Sequence, residues 1–282
     1  MSDSQYRIEV RHLTKKYPPM RKGTVGIRDL IDGLKGRREE VIALSDLSFN
    51  IRSGEWFGIL GPNGAGKTTF CDVLLDITTP TSGQILLDGT DVNRQFKRIR
   101  GRICTMQYWF VRERIRVRDS LRRAGMEWML DPGEAQRRID WLVDLFGIRD
   151  KLDDWYIRLS MGTRVKVMII ATLMSGADVL VFDEPTPWMD VITRRKLYDQ
   201  LRDFQKEMGT TIIWTTHNLH EAQATCNRIA VINTRLLTVT TPSRLAEDMQ
   251  KANLEEAFVE LLTRTQDPAP PTPAGSKEGL SP

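Results

Sequence analysis

The segment GILGPNGAGKTTF, residues 58–70, constrains this chain more than any other. It follows EWFGIL at 55–60, which reads as a buried strand, and opens a helical pattern over 67–77. Gly61, Gly66, Lys67 and Thr68 fit the spacing G-x-x-x-x-G-K-[ST]. Glycine at these places lets the chain turn so that the backbone N–H groups of Gly64, Ala65, Gly66 and Lys67 point inward around a phosphate. The helix that follows adds partial positive charge at its N-terminus. Pro62, Asn63 and Thr69 complete the loop and its exit. Lys67 has the reach for the terminal phosphates of a nucleotide, and the Thr68 hydroxyl can ligate Mg²⁺.

Such a site needs an acid at the end of a second buried strand, and VLVFDEPT supplies Asp183. Its expected role is to hold Mg²⁺ through water, as in P-loop NTPases. Glu184 comes next and can orient or deprotonate an attacking water. The alternative for Glu184 is a plain surface acid.

The apolar runs ADVLVFD (177–183) and TTIIWTT (210–216) read as further buried strands. They alternate with amphipathic helices expected at 133–146, 161–175, 190–208 and 218–226, the first of them capped by Asp131. This order predicts an α/β fold, a P-loop NTPase core with a mainly parallel sheet. RIEVRHL and VIALSDLSFNI alternate in polarity and predict an antiparallel β flank.

Composition removes several classes. Lys plus Arg (41) less Asp plus Glu (37) gives a net charge of +4, too weak to argue for nucleic acid as a partner. Cys71, Cys104 and Cys226 lie far apart, which fits neither a disulfide framework nor a zinc site. MSDSQYRIEV is too polar for a signal peptide, and no apolar run reaches the roughly 18 residues of a membrane span. Any membrane role then comes through a partner.

At this point the chain resembles the ATP-binding cassette (ABC) ATPases, the nucleotide-binding subunits of ABC transporters. The resemblance runs from about Arg7 to Leu262 and rests on motif order: GPNGAGKTT, MQYW, LSMGT, VFDEPT, MD and TTH. In that family two ATPase domains pack head to tail, and a signature segment, L-S-G-G-Q, caps the γ-phosphate held by the other subunit. LSMGTR is similar to it, with Ser160 and Gly162 retained, Met161 in place of the first glycine and Thr163 in place of the glutamine. A competing reading makes Ser160 an ordinary helix cap. The resemblance further implies that Gln107 senses Mg²⁺ and touches the membrane partner, and that His217 bonds the γ-phosphate and helps fix the water. It also implies that Tyr17 stacks on adenine and that Asp190 contacts the facing phosphate loop. Trp188 fits either a dimer seam or the core.

The domain expectation is one ABC-type ATP-binding domain over 1–263, with a helical subdomain over about 108–175 that carries the signature, and a disordered tail over 264–282. An extra amphipathic segment at about 20–40 places Ile27, Leu30, Ile31 and Leu34 on one helical face. It resembles an added helix of some polysaccharide exporter ATPases; the bland reading is a solvated hairpin excursion. ANLEEAFVELL resembles the end of ATPases serving ABC-2-type exporters. One phosphate loop and one signature per chain imply a second ATPase subunit, most simply another copy, around two ATP with Mg²⁺. The expected partner is an integral membrane permease, with the chain peripheral on the cytoplasmic face of the membrane. The alternative is a soluble ABC-type ATPase with a regulatory or nucleic-acid-related role. Such proteins usually fuse two cassettes or insert long coiled coils, and neither is present here. A P-loop kinase or GTPase gives no reason for LSMGT or TTH, and no N-K-x-D segment appears.

Overall fold

The computed structural model describes residues 6–18, 40–106, 114–187 and 189–264. Gln107, Trp188, nearly all of the 20–40 segment and the tail from 265 lie outside the described residues.

The chain runs β1 (Tyr6–Tyr17), β2 (Val41–Arg52), β3 (Trp56–Leu60), α1 (Lys67–Leu74), β4 (Ser82–Leu87), β5 (Thr90–Asp91), α2 (Phe96–Ile99) and β6 (Ile103–Thr105). It continues with α3 (Val117–Glu127), α4 (Pro132–Leu145), α5 (Met161–Leu173), β7 (Val179–Asp183), α6 (Val191–Met208), β8 (Thr211–Thr216) and α7 (Leu219–Thr225). β9 (Arg228–Asn233), β10 (Arg235–Thr240), α8 (Pro242–Asp248) and α9 (Leu254–Arg264) complete the described chain. The expected α/β architecture is present, and α9 carries the described structure one residue past the expected boundary at 263.

Two sheets form it. The larger has the order β10-β9-β3-β8-β7-β6, parallel throughout except for the β9–β10 hairpin. The smaller, β2-β1-β4-β5, is antiparallel and is the predicted flank.

The inner strands β3, β7, β8 and β9 of the larger sheet are buried at consecutive positions because both faces are covered. Trp56, Leu180, Phe182, Ile212 and Trp214 face one core, shared with α3 to α6. Their neighbours Phe57, Val179, Val181 and Ile213 face a second core, shared with β1, β2 and α1. Trp214 anchors the first core, with ring centroids 5.5 Å from Trp56 and 5.6 Å from Phe182.

Side-chain caps set the helix starts. Asp131 accepts from the N–H groups of Gly133 and Glu134, with Pro132 in the first turn. Ser160, Asp190 and Asn218 cap α5, α6 and α7 in the same manner. α6 ends at Gly209, whose φ of 65° suits a left-handed C-terminal stop. Among the described residues no helix is long and apolar enough to cross a membrane.

Candidate active site

The loop 61–66 joins β3, near the middle of the larger sheet, to α1. Gly66 has a φ of 99°, and a side chain there would meet the Ala43 carbonyl oxygen at 2.5 Å. A side chain on Gly61 would meet the Ile232 carbonyl oxygen at 2.4 Å. Both glycines are therefore required by close approach, and Gly66 by its backbone angle as well. Gly64 also has a positive φ, 81°, but opens to free space. Ala65 is buried and bonded on both sides: its N–H donates to Pro62 O at 3.2 Å, and its carbonyl accepts from Thr234 N–H at 2.9 Å.

α1 begins at Gly66 with no side chain capping it. Its first-turn N–H groups are left for an anion, which fits the phosphate role. Asn63 is exposed, Pro62 half-buried, and Thr69 lies half-buried on α1.

Lys67 is 94% buried, since only 6% of it is accessible. Its ammonium donates to Gly61 O at 2.8 Å and to Pro62 O at 3.1 Å. It also lies 3.1 Å from Glu184 Oε1. The other Glu184 oxygen lies 3.0 Å from His217 Nδ1. With the carboxylate ionised, Nδ1 carries the proton and donates, which leaves Nε2 for another partner. Burial pushes the Glu184 carboxyl up, but hydrogen bonds from His217 and Lys67 outweigh it and hold the group below the usual carboxylate range. Glu184 sits in left-handed backbone, φ 44°, held by its N–H to the Thr215 carbonyl at 3.2 Å and hydroxyl at 3.1 Å. Positive φ in a non-glycine residue beside reacting groups is stored strain, with a cost of about 1–3 kcal/mol.

The Thr68 hydroxyl donates to Asp183 Oδ2 at 2.8 Å, and Thr215 donates to the other carboxylate oxygen. A hydroxyl and a carboxylate side by side are hard oxygen donors of the kind that would hold Mg²⁺. The Asp183 charge reaches its neighbours: burial first, then Asp183, raises the Asp72 carboxyl, and the same two causes push the Cys71 thiol well up. Cys71, buried one turn into α1, is held as an inert thiol.

Other expected site residues lie apart from this cluster. Tyr17 ends β1 opposite Val41, with the Lys15 ammonium 4.8 Å from its ring centre. The Ser160 hydroxyl accepts from Thr163 N–H at 3.3 Å and lies 2.9 Å from the Thr163 hydroxyl. Thr163, which stands where the resemblance expects glutamine, thus completes the cap. Met161 is 47% exposed. Gly162 packs on the start of α6, where an added Cβ would lie 3.1 Å from Thr193 Cγ2. Asp190 accepts from Thr193 N–H at 2.9 Å, and that bond holds its carboxyl below the ordinary range. Among the described residues no hydrogen bond joins Ser160, Gly162 or Asp190 to the loop at 61–67.

Sequence reading missed Thr215, which fixes both Asp183 and the Glu184 backbone. The signal was the pair of threonines ending an otherwise apolar strand, each spent on a side-chain bond.

The model of the family described as ABC transporter matches residues 44–187. The chain is 33% identical over 204 residues to a Nod factor export ATP-binding protein I of Ralstonia nicotianae, covering 72% of this chain and 63% of that protein. It thus spans just under two thirds of that relative's length. It is 32% identical over 248 residues to the Burkholderia thailandensis protein of the same name, covering 87% of this chain and 78% of that one. Among solved structures it is similar to cbiO1 from Clostridium perfringens, part of the ABC transporter complex cbiONQ. The TM-score there is 0.72 at 25% identity, over 93% of this chain and 100% of that one.

Proposed function

The chain belongs to the ABC transporter family, and from that premise we propose that it is the ATP-hydrolysing subunit of an exporter, closing with a second copy around two ATP and driving a separate membrane-spanning partner. The observation that carries the chemistry is the chain Lys67–Glu184–His217, placed beside the Thr68–Asp183 pair.

Each group has a task. The loop N–H groups and Lys67 hold the phosphates. Glu184, ionised at neutral pH, accepts a proton from the attacking water. His217 holds that carboxylate through Nδ1. Thr68 and Asp183 hold Mg²⁺, which when bound neutralises charge on the phosphate oxygens. Asp183 is in turn held by Thr215.

Within one chain Ser160 and Asp190 only cap their helices, so their action on nucleotide belongs to a facing copy. The relatives named for Nod factor export favour an export direction. The +4 charge gives no reason for a nucleic-acid role. Peripheral attachment at the cytoplasmic face follows from docking on the partner.

The test has two arms. Purified chain should release phosphate from ATP only when Mg²⁺ is present. From detergent-solubilised membranes it should co-purify with an integral membrane protein. No turnover with Mg-ATP in either preparation sinks the ATPase reading. ATP turnover by a chain that brings down no integral membrane protein from solubilised membranes moves the protein to the soluble class.

A further inference from the structure

Glu221 touches none of the groups that act on nucleotide, yet three side chains converge on it. It lies in the first turn of α7 and is buried, 6% accessible. The Thr186 hydroxyl donates to its Oε1 at 2.5 Å, and Arg194 donates to the same oxygen at 3.2 Å. The Thr216 hydroxyl donates to Oε2 at 2.8 Å.

The donors come from opposite sides of the active site. Thr186 lies two residues past Glu184, in the loop that leaves β7. Arg194 stands in the first turn of α6, which Asp190 caps. Thr216 ends β8 and immediately precedes His217. Its hydroxyl also accepts from Asn218 N–H at 2.9 Å, so its rotamer is fixed from two directions. Thr215 and Thr216 point to opposite faces of the strand, as the period of two requires. The first holds the Asp183 side and the second holds Glu221. A cavity of about 160 Å³ lies among Glu184, Pro187, His217 and Glu221, so the reacting carboxylate and this buried one border the same space.

Stability alone does not call for a carboxylate here. Exchanging a buried ion pair for well-packed apolar groups is often neutral or stabilising. A carboxylate instead fixes the geometry of several donors at once, which an apolar side chain cannot do.

We propose that Glu221 is a positioning residue for ATP hydrolysis: it sets the spacing between the loop after β7 and the end of β8, and so sets where His217 meets Glu184. This rests on the ATPase reading above. Glu221 acts through His217 and touches neither nucleotide nor metal.

The experiment is a double-variant cycle on the full chain, read as steady-state and single-turnover phosphate release. Glu221→Ala should lower kcat about tenfold or more, since a sub-ångström displacement at a reacting group is costly. The KM for ATP should stay within about twofold, because the phosphate loop is held by other bonds. Glu221→Gln should recover most of the rate. Its oxygen still accepts from Thr186 and Arg194, and its amide can donate to the Thr216 hydroxyl. In a His217→Ala background, Glu221→Ala should add almost nothing. If Glu221→Ala fails to fold, Thr186→Val supplies the same cycle with a smaller loss. Full kcat in the folded Glu221→Ala chain overturns the proposal, as do losses that multiply in the double variant. A wild-type chain without ATP turnover overturns the ATPase reading first and this inference with it.

Discussion

Lys67 and Glu184 form an ion pair at 3.1 Å, so the cation proposed for phosphate and the base proposed for water neutralise each other across the loop. The same ammonium is fastened to the carbonyls of Gly61 and Pro62. Lys67→Ala therefore removes the charge on the phosphates and the partner of the base together. ATP hydrolysis should fall by about a hundredfold or more, and ATP affinity should drop, measured by phosphate release and by equilibrium titration. Turnover at the wild-type rate would refute the assignment of this loop.

Glu184→Gln preserves size and an oxygen for His217 while removing the base. ATP should still bind, and the chain should accumulate as an ATP-bound dimer. Size-exclusion chromatography in Mg-ATP reads the outcome directly. A variant that stays monomeric, or that hydrolyses ATP normally, rules out Glu184 as the base.

The depressed Glu184 carboxyl gives a pH test with a fixed sign. Its folded value lies below the unfolded one, so the group contributes stability above its unfolded pKa and loses it as pH falls through the folded value. Glu184→Gln should lower the melting temperature slightly at neutral pH, since the group is 31% exposed and its pairing is screened. That gap should close on acidification below the carboxylate range. A gap that widens in acid would mean the carboxyl is raised instead.

Thr68→Ala removes the hydroxyl 2.8 Å from Asp183 Oδ2, and Asp183→Asn turns that carboxylate into a neutral amide with one oxygen. Both should raise the Mg²⁺ concentration needed for half-maximal hydrolysis, with the larger shift for Asp183→Asn, which also loses charge. Titrating Mg²⁺ at fixed ATP measures it. An unchanged requirement would place the metal elsewhere.

Ser160 caps α5 in the single chain, so its two roles separate on substitution. Ser160→Arg should cost about 1 kcal/mol of stability through the lost cap. It should also block hydrolysis by filling the seam, with ATP still bound by each monomer. Met161→Gly should be tolerated and should keep or raise turnover, because it gives room for backbone approach. Rates and melting temperatures of both variants decide the matter. A full-rate Ser160→Arg enzyme would mean that the segment only caps its helix.

The strands around Phe57, Val181 and Ile213 were legible because burial on both faces leaves unbroken apolar runs bounded by turns. The caps at Asp131 and Ser160 were legible from local sequence, since a cap reaches only two or three residues ahead. The phosphate loop was legible because its glycines answer to backbone sterics. The short strands at 90–91 and 103–105 carry too few residues for a period to emerge. The bonds from Thr215 to Asp183 and from Thr186 and Arg194 to Glu221 join positions 27 to 35 residues apart, and only the packed sheet brings them together.

The phosphate loop leans on the end of the chain. Gly61 is pressed against the Ile232 carbonyl, Ala65 is held by Thr234, and Thr234 in turn accepts from Ser45 N–H at 2.7 Å. β3 itself is zipped between β8 and β9, which are made long after it. A nascent chain that has emerged only as far as Asp183 has the glycines, the lysine and the acid, but no rear wall to hold them. Nucleotide thus meets a finished cradle only after β9 and the turn that follows it have been made, and a truncation before Arg228 would leave every proposed catalytic side chain present but the loop at Gly61 and Ala65 without its rear wall.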